Sequence, residues 1–285
     1  MVSPECELAD DVQIGPYCII TGRVTLRAGC RLISHVQIQG PALIGAGALL
    51  YPFACVGFEP QDVKFRPGHP SAGVVLGTNA TLREHATIHA STKIDVPTRV
   101  GESIFMLVNA HIGHDSQVGN NVVMVNNSCF GGHAQIGDNV LMGGGSVVHQ
   151  FVRVGRFAHF GGLAGASQDV PPFCVCHTIN RIGGINRVGL RRAGFPRDHI
   201  TAVMQAYAQV IKHPMDNETA INRLRELALE TACPLVDELA DFIVGTKRGI
   251  AAGMGKPPRE AGAWFRSAVR TASGLTVPAS EPQED

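Results

Sequence analysis

Stepping six residues at a time from Ile14 meets Ile20, Leu26, Leu32, Ile38, Ile44, Leu50 and Val56, all aliphatic. Two positions before these rungs lie Val12, Cys18, Val24, Cys30, Val36, Ala42, Ala48 and Ala54, all small or β-branched. The phase breaks in FEPQDVKFRPGHPSAG (58–73), which is rich in Pro, Gly and charge. It resumes at Leu76 and continues through Leu82, Ile88, Ile94, Val100, Met106, Ile112, Val118, Met124, Phe130, Ile136, Met142, Val148, Val154 and Phe160. Neither a helix of period 3.6 nor a strand of period 2 repeats in this way. A hexapeptide β-helix does: three hexads close one triangular coil of eighteen residues, with the aliphatic side chain inward. Gly or Asn suits the positive φ of its corners. Residues 58–73 are expected to leave the coil as a loop that serves a site. Cys18 and Cys30 occupy the small-residue slot and read as core fillers.

After VPPF (170–173) the six-period fades. Ile200, Val203, Met204, Tyr207, Val210 and Ile211 follow helical spacing behind Pro196. Leu224, Leu227 and Ala228 predict a second helix after Asp216-Asn217, and Leu235, Leu239, Phe242 and Ile243 a third, ending near Gly245 or Gly249. The fold class is therefore an all-β, left-handed parallel β-helix followed by a small α-helical C-terminal domain. The expected division is 1–189 for the β-helix with its inserted loop, 190–250 for the helices, and 251–285 for a Gly/Pro/Ala-rich tail with a short helix around Trp264.

Composition narrows the function classes. A formal net charge of zero supplies no field for nucleic acid or a membrane surface. The first residues, MVSPECELADD, lack the basic and apolar segments of a secretory signal, and no run of about 18 apolar residues predicts a membrane span. The eight cysteines form no C-x-x-C pair, in keeping with a reduced, cytoplasmic protein.

Against this regular background, NAHIGHD (109–115) concentrates polar groups around the inward Ile112. Eighteen residues move a side chain one coil along the same face, so residues 96, 114, 132 and 150 are expected in one column. Asp115 then stacks beside His133, and His149-Gln150 follow one coil further. His111, His114, His133 and His149 fall on slots other than the inward one. A single histidine there reads as a solvated or interface residue; four on one strip with an Asp and a Gln read as a site. Histidine titrates near working pH and suits a general base, and a free Gly N–H on the next coil suits an oxyanion. There is no G-x-S-x-G, and Cys129 reads as structural, so direct attack by a substrate hydroxyl is favoured over a covalent acyl-enzyme.

QDVKF (61–65), TIH (87–89), NAHIGHD, GGH (131–133), VHQF (148–151), QDVPPF (168–173), GINRVGLRRAGF (184–195) and TKRGI (246–250) together resemble the UDP-N-acetylglucosamine O-acyltransferase family over about residues 10–250. The resemblance implies a homotrimer with sites between subunits. It implies transfer of a (3R)-hydroxyacyl chain from acyl carrier protein to the sugar 3-hydroxyl, the first step of lipid A synthesis. No cofactor is implied beyond the phosphopantetheine that carries the donor. By the same resemblance His114 is the general base, Asp115 supports it, and the Gly132 N–H holds the oxyanion. Asp62, Lys64, His133, Gln150, Asn186 and Arg192 match positions that bind the nucleotide sugar or the pantetheine arm. His111 and His149 are lining candidates, and Gly162 matches the region that measures acyl length.

The sequence also departs from the family pattern. Where the family often reads Ile-His-Arg-Gly-Thr, this chain has IHAST, with Ala90 and Ser91. Val188 stands where a Glu is often found, and Ala193 in place of the second Arg of a phosphate-binding pair. These changes keep open a sibling transferase acting on another nucleotide sugar or donor. A trimeric β-helix zinc enzyme of the carbonic anhydrase type is a further alternative, although the His-x4-His pair of that class is absent.

Overall fold

The computed structural model describes residues 1–213 and 215–253. The tail and the Trp264 helix expected above lie, from residue 254 onward, outside the described residues. Short strands of two to five residues build three long sheets of eight, eleven and eight strands. All pairings are parallel except the hairpin Cys174–Thr178 with Arg181–Ile185. The coil climbs by a constant register: His111 pairs with Cys129, and Cys129 with Val147. The chain is a left-handed parallel β-helix, a three-sided prism whose faces are the three sheets.

The rungs predicted from the sequence fill its interior. On the face that carries the histidines, Ile88, Ile112, Phe130 and Val148 lie one above another, all 2% exposed or less. Cys18 and Cys30 are buried beside their rungs, as expected for that slot. The corners differ from expectation. Asn79, Asn109, Asn121, Asn127 and Asn139 take positive φ, but so do Tyr17, His35, Phe53, His85, Asp115, His133 and Phe151. The left-handed conformation costs a non-glycine residue about 1–2 kcal/mol. Stacking between coils offsets part of it: rings of Tyr17, His35, Phe53 and His85 follow one another at 4.8–4.9 Å.

Two segments leave the coil, not one. Ala42 pairs with Val74, fourteen residues beyond a regular turn, and the loop 58–73 accounts for that excess. Thr87 pairs with His111, six residues beyond a regular turn, so a second excursion follows Ala90. Its length equals one hexad, which leaves the phase of the aliphatic ladder intact and hides it in the sequence. Ile94 is therefore not a core rung: it is 72% exposed. The column through His114 also changes. Its neighbour on the preceding coil is Ala90, where the regular repeat had indicated residue 96.

The C-terminal region is helical: α1 (Arg187–Arg192), α2 (Arg197–Ala206), α3 (Asn217–Thr231) and α4 (Pro234–Val244). A π-helical turn, Tyr207–Ile211, extends α2. Helical punctuation read from the sequence sits at the starts of α2 and α3 and at the end of α4. Pro196 precedes α2, Asp216 caps α3 by accepting from Thr219 N–H, and Gly245 follows α4. The helices are tied to the prism by Arg156, whose guanidinium forks onto Glu238 with two bonds of 2.7 Å. No helix among the described residues is long and apolar enough to cross a membrane.

Candidate active site

His114 and Asp115 stand at a corner of the prism, immediately after the strand His111–Ile112. Both are buried, at 8% and 7% exposure. His114 Nδ1 lies 2.6 Å from Asp115 Oδ2. In the neutral tautomer that donates Nδ1–H to Asp115, the lone pair is on Nε2. Nε2 faces Gly132 on the next coil: a Cβ placed on Gly132 would lie 2.6 Å from it. The Gly132 N–H donates to no protein acceptor among the described residues.

Asp115 is anchored from several directions. Ser91 Oγ donates to Oδ1 at 2.6 Å, Thr92 Oγ1 to Oδ2 at 2.8 Å, and the Thr92 N–H lies 3.2 and 3.3 Å from the two oxygens. Its own N–H donates to Thr98 Oγ1 at 2.8 Å. Burial alone would raise this carboxyl, but the bonds from His114, Ser91 and Thr92 hold it well below the usual carboxylate range. Asp115 is thus a fixed carboxylate held against His114 Nδ1.

Asp115, His133 and Phe151 occupy one corner column, with φ of 60°, 61° and 63°. The His133 ring stacks flat on Phe151 at 4.4 Å, and its Nε2 is 3.7 Å from Asp115 Oδ2. The rings of His114 and His133 meet edge to face at 5.1 Å. Burial pulls His133 below the ordinary imidazole value. His111 accompanies the pair from its own strand: Nδ1 is 2.8 Å from Thr87 Oγ1, and its ring lies edge-on to His89 at 5.3 Å. Burial, followed by the nearby His89 and His114, pushes His111 down to about 4. His89, itself depressed by burial, is a member of the cluster that the hexad arithmetic did not reveal. The signal that could have found it is TIH, a histidine directly after the inward Ile88 and two residues before the second excursion begins at Ser91.

The other candidates divide into three groups. His149 and Gln150 lie exposed at the edge of the strip; His149 Nδ1 contacts only its neighbour's carbonyl, Gln150 O, at 3.2 Å. Asp62 and Lys64 lie on the 58–73 excursion, where Asp62 Oδ1 accepts from Lys64 N–H at 2.9 Å. Asp62 is close enough to His133 to favour its protonated form. Gly162 is exposed, and a Cβ there would meet only Gly144 O, at 3.6 Å. Asn186 and Arg192 sit elsewhere, around a cavity of about 850 Å³ lined also by Leu141, His159, Val188 and Arg191. Leu141 and His159 belong to the eleven-stranded sheet, a different face from the one that carries His111. Asn186 also has a structural job, since Oδ1 caps α1 through Gly189 N–H and Nδ2 donates to Phe157 O. Val188, on the same cavity, is 49% exposed.

Known proteins resemble this chain over most of its length. A family model described as Udp N-acetylglucosamine O-acyltransferase, Domain 2, matches residues 169–251. The acyl-[acyl-carrier-protein]--UDP-N-acetylglucosamine O-acyltransferase of Thermodesulfovibrio yellowstonii is 40% identical over 252 residues, covering 88% of this chain and 96% of that protein. The crystal structure of the Francisella novicida UDP-N-acetylglucosamine acyltransferase superposes with a TM-score of 0.84 at 31% identity, covering 90% of this chain and 93% of the other. The Moraxella catarrhalis UDP-N-acetylglucosamine O-acyltransferase gives 0.83 at 34% identity, covering 88% and 97%. A β-helix with a buried His-Asp pair at one corner, helices that match the family's second domain, and relatives similar over nearly their whole length lead to one conclusion: this chain belongs to the UDP-N-acetylglucosamine O-acyltransferase family of enzymes.

Proposed function

We propose that the protein transfers a (3R)-hydroxyacyl group from acyl carrier protein to the 3-hydroxyl of UDP-N-acetylglucosamine, with His114 as general base. The observation that carries this reading is the buried His114–Asp115 pair, whose Nε2 lies beside Gly132, a residue whose N–H has no protein acceptor among the described residues. In the proposed step Nε2 removes the proton of the sugar hydroxyl as its oxygen attacks the thioester carbonyl carbon. The C–O bond forms, and the charge that develops on the carbonyl oxygen is held by Gly132 N–H. The C–S bond then breaks, and the imidazolium returns its proton to the leaving phosphopantetheine thiolate. No covalent enzyme intermediate is required, and no cofactor takes part beyond the donor's own phosphopantetheine. Asp115 keeps the productive tautomer throughout.

Asp62, Lys64, His133, His149 and Gln150 line the approach to this pair in the proposal, and Gly162 leaves room for the chain. Asn186 and Arg192 lie on another face of the same prism, so they would complete the site of a neighbouring subunit. That is the basis for proposing a homotrimer, working in the cytoplasm with acyl carrier protein and a nucleotide sugar as its partners. A second reading, transfer to another nucleotide sugar or from another donor, is favoured by the exposed Val188 and Ala193 beside Arg192.

The test is acyl transfer with purified protein, (3R)-hydroxyacyl carrier proteins of several lengths and UDP-N-acetylglucosamine, read by product mass. A product heavier by one hydroxyacyl group supports the reading and gives the chain length; no product from folded protein moves the assignment to another sugar or donor. His114→Ala is expected to remain folded and to lose about 10²–10⁴ in turnover. Near wild-type turnover would remove His114 from the mechanism.

A further inference from the structure

The second excursion meets the reaction centre through Ser91 and Thr92, of which Ser91 is the more deeply buried. Ser91 is fully buried, and each of its polar groups is engaged. Its N–H donates to Gly73 O at 3.2 Å, and its C=O accepts from Ser71 Oγ at 2.6 Å. Its Oγ accepts from Lys93 N–H at 3.0 Å, which leaves the hydroxyl proton for Asp115 Oδ1 at 2.6 Å. Ser71, Ala72 and Gly73 close the first excursion, and Ala72 N–H donates to Lys93 O at 2.6 Å. The two excursions are therefore clamped together, and Ser91 presents the clamp to Asp115.

We propose that Ser91 is a positioning residue for the His114–Asp115 pair: its hydroxyl fixes the carboxylate and draws off part of its charge, setting the pH at which His114 becomes a neutral base. The inference rests on the general-base reading above. A hydrogen bond donated to an anion spreads the charge that the anion offers to its other partners. With Ser91 in place, Asp115 holds the His114 proton less tightly than a bare carboxylate would. Loss of the hydroxyl concentrates charge on Oδ2, favours the imidazolium, and moves its deprotonation to higher pH. Thr92 still reaches both carboxylate oxygens, so Asp115 keeps its place. The other titratable or charged groups around the pair are His89, His111, His133, Lys93 and Asp62. The substitution removes none of their side chains, although Lys93 N–H loses its acceptor on Ser91 Oγ.

The experiment is the pH dependence of kcat and kcat/KM for the wild type, Ser91→Ala, Ser91→Cys and Ser91→Thr, with the same carrier-bound donor and nucleotide sugar. For Ser91→Ala the acid limb of kcat/KM is expected to rise by about 0.5–1 pH unit. The plateau kcat falls by less than about tenfold, and KM for the sugar changes by less than about twofold. Ser91→Cys, similar in shape but a weak donor, shifts the limb the same way and covers the case in which the alanine variant does not fold. Ser91→Thr, which keeps the hydroxyl, returns the limb towards the wild-type position. An unmoved limb in both Ser91→Ala and Ser91→Cys, whether turnover is intact or uniformly lowered, overturns the proposal and leaves Ser91 as a clamp between the excursions. The general-base reading fails separately, by an active His114→Ala enzyme.

Discussion

Gly132→Ala tests the geometry of the reaction centre with a single methyl group. Gly132 is not among the glycines with positive φ, so alanine meets no left-handed backbone penalty there. The new Cβ would instead lie 2.6 Å from His114 Nε2, 2.7 Å from Cε1 and 3.1 Å from Cδ2. The imidazole cannot swing aside freely, because Nδ1 is bonded to Asp115 at 2.6 Å and the ring is buried. Relief requires breaking that bond or moving the coil. A hydrogen bond to a charged group contributes about 1.5–3 kcal/mol, so stability should fall by about that amount. At roughly 2–4 °C per kcal/mol, the melting temperature drops by several degrees. Turnover should fall by about 10²–10⁴, since the same displacement moves the proposed base. The assay is a double-mutant cycle of Gly132→Ala with His114→Ala, read by thermal or denaturant unfolding. With the ring gone the three nearest atoms to the methyl are removed, so the alanine at 132 should cost less in the His114→Ala background. Equal destabilisation in both backgrounds would show that the clash is not with His114 and would refute the reasoning.

Phe130 is fully buried between Ile112 and Val148 on the site-bearing face; Phe130→Ala should cost about 3–5 kcal/mol in unfolding experiments and lower activity only through loss of folded protein. His111, held near pH 4 by burial and ordinarily titrating near 6.5, is neutral in the folded chain over a range where the unfolded chain binds the proton. Stability should therefore fall as pH drops from about 6.5 to about 4, by up to about 1.4 kcal/mol per unit from this residue, and His111→Gln should flatten that slope in pH-dependent unfolding. Asp115, depressed in the folded state, adds its own loss only below the ordinary carboxylate range near 4, so the two windows are separable. Arg197 and Lys212 are exposed in the helical region; their joint replacement by alanine should raise the apparent KM for the acidic carrier-bound donor while kcat stays constant, and an unchanged KM would rule out a docking role.

The six-residue ladder determined the coil, because each inward slot of a triangular prism admits only an apolar side chain and repeats at a fixed interval. The helical spacing with Pro196, Asp216 and Gly245 determined the three longer helices by the same logic of face and cap. His114, Asp115, Gly132 and His133 were legible as neighbours because regular stacking turns an eighteen-residue separation into one strand spacing. Local order, set by periodicity and by short-range backbone chemistry, was thus available from the sequence alone.

What the tertiary structure decided is everything that depends on where the chain leaves the coil. The excursion after Ala90 is one hexad long, so it passes through the periodicity unseen; it put Ile94 into the ladder and residue 96 into the column of His114, and the strand pairing removes both. The same displacement sets Ser91 and Thr92 against Asp115 and brings His89 to His111, contacts between residues more than twenty apart that no local pattern specifies. The strand order also places Asn186 and Arg192 beside the eleven-stranded sheet, a different face of the prism from the one that carries His111. Periodicity records how many residues separate two coils; only the hydrogen-bonded register records how many of them belong to the coil.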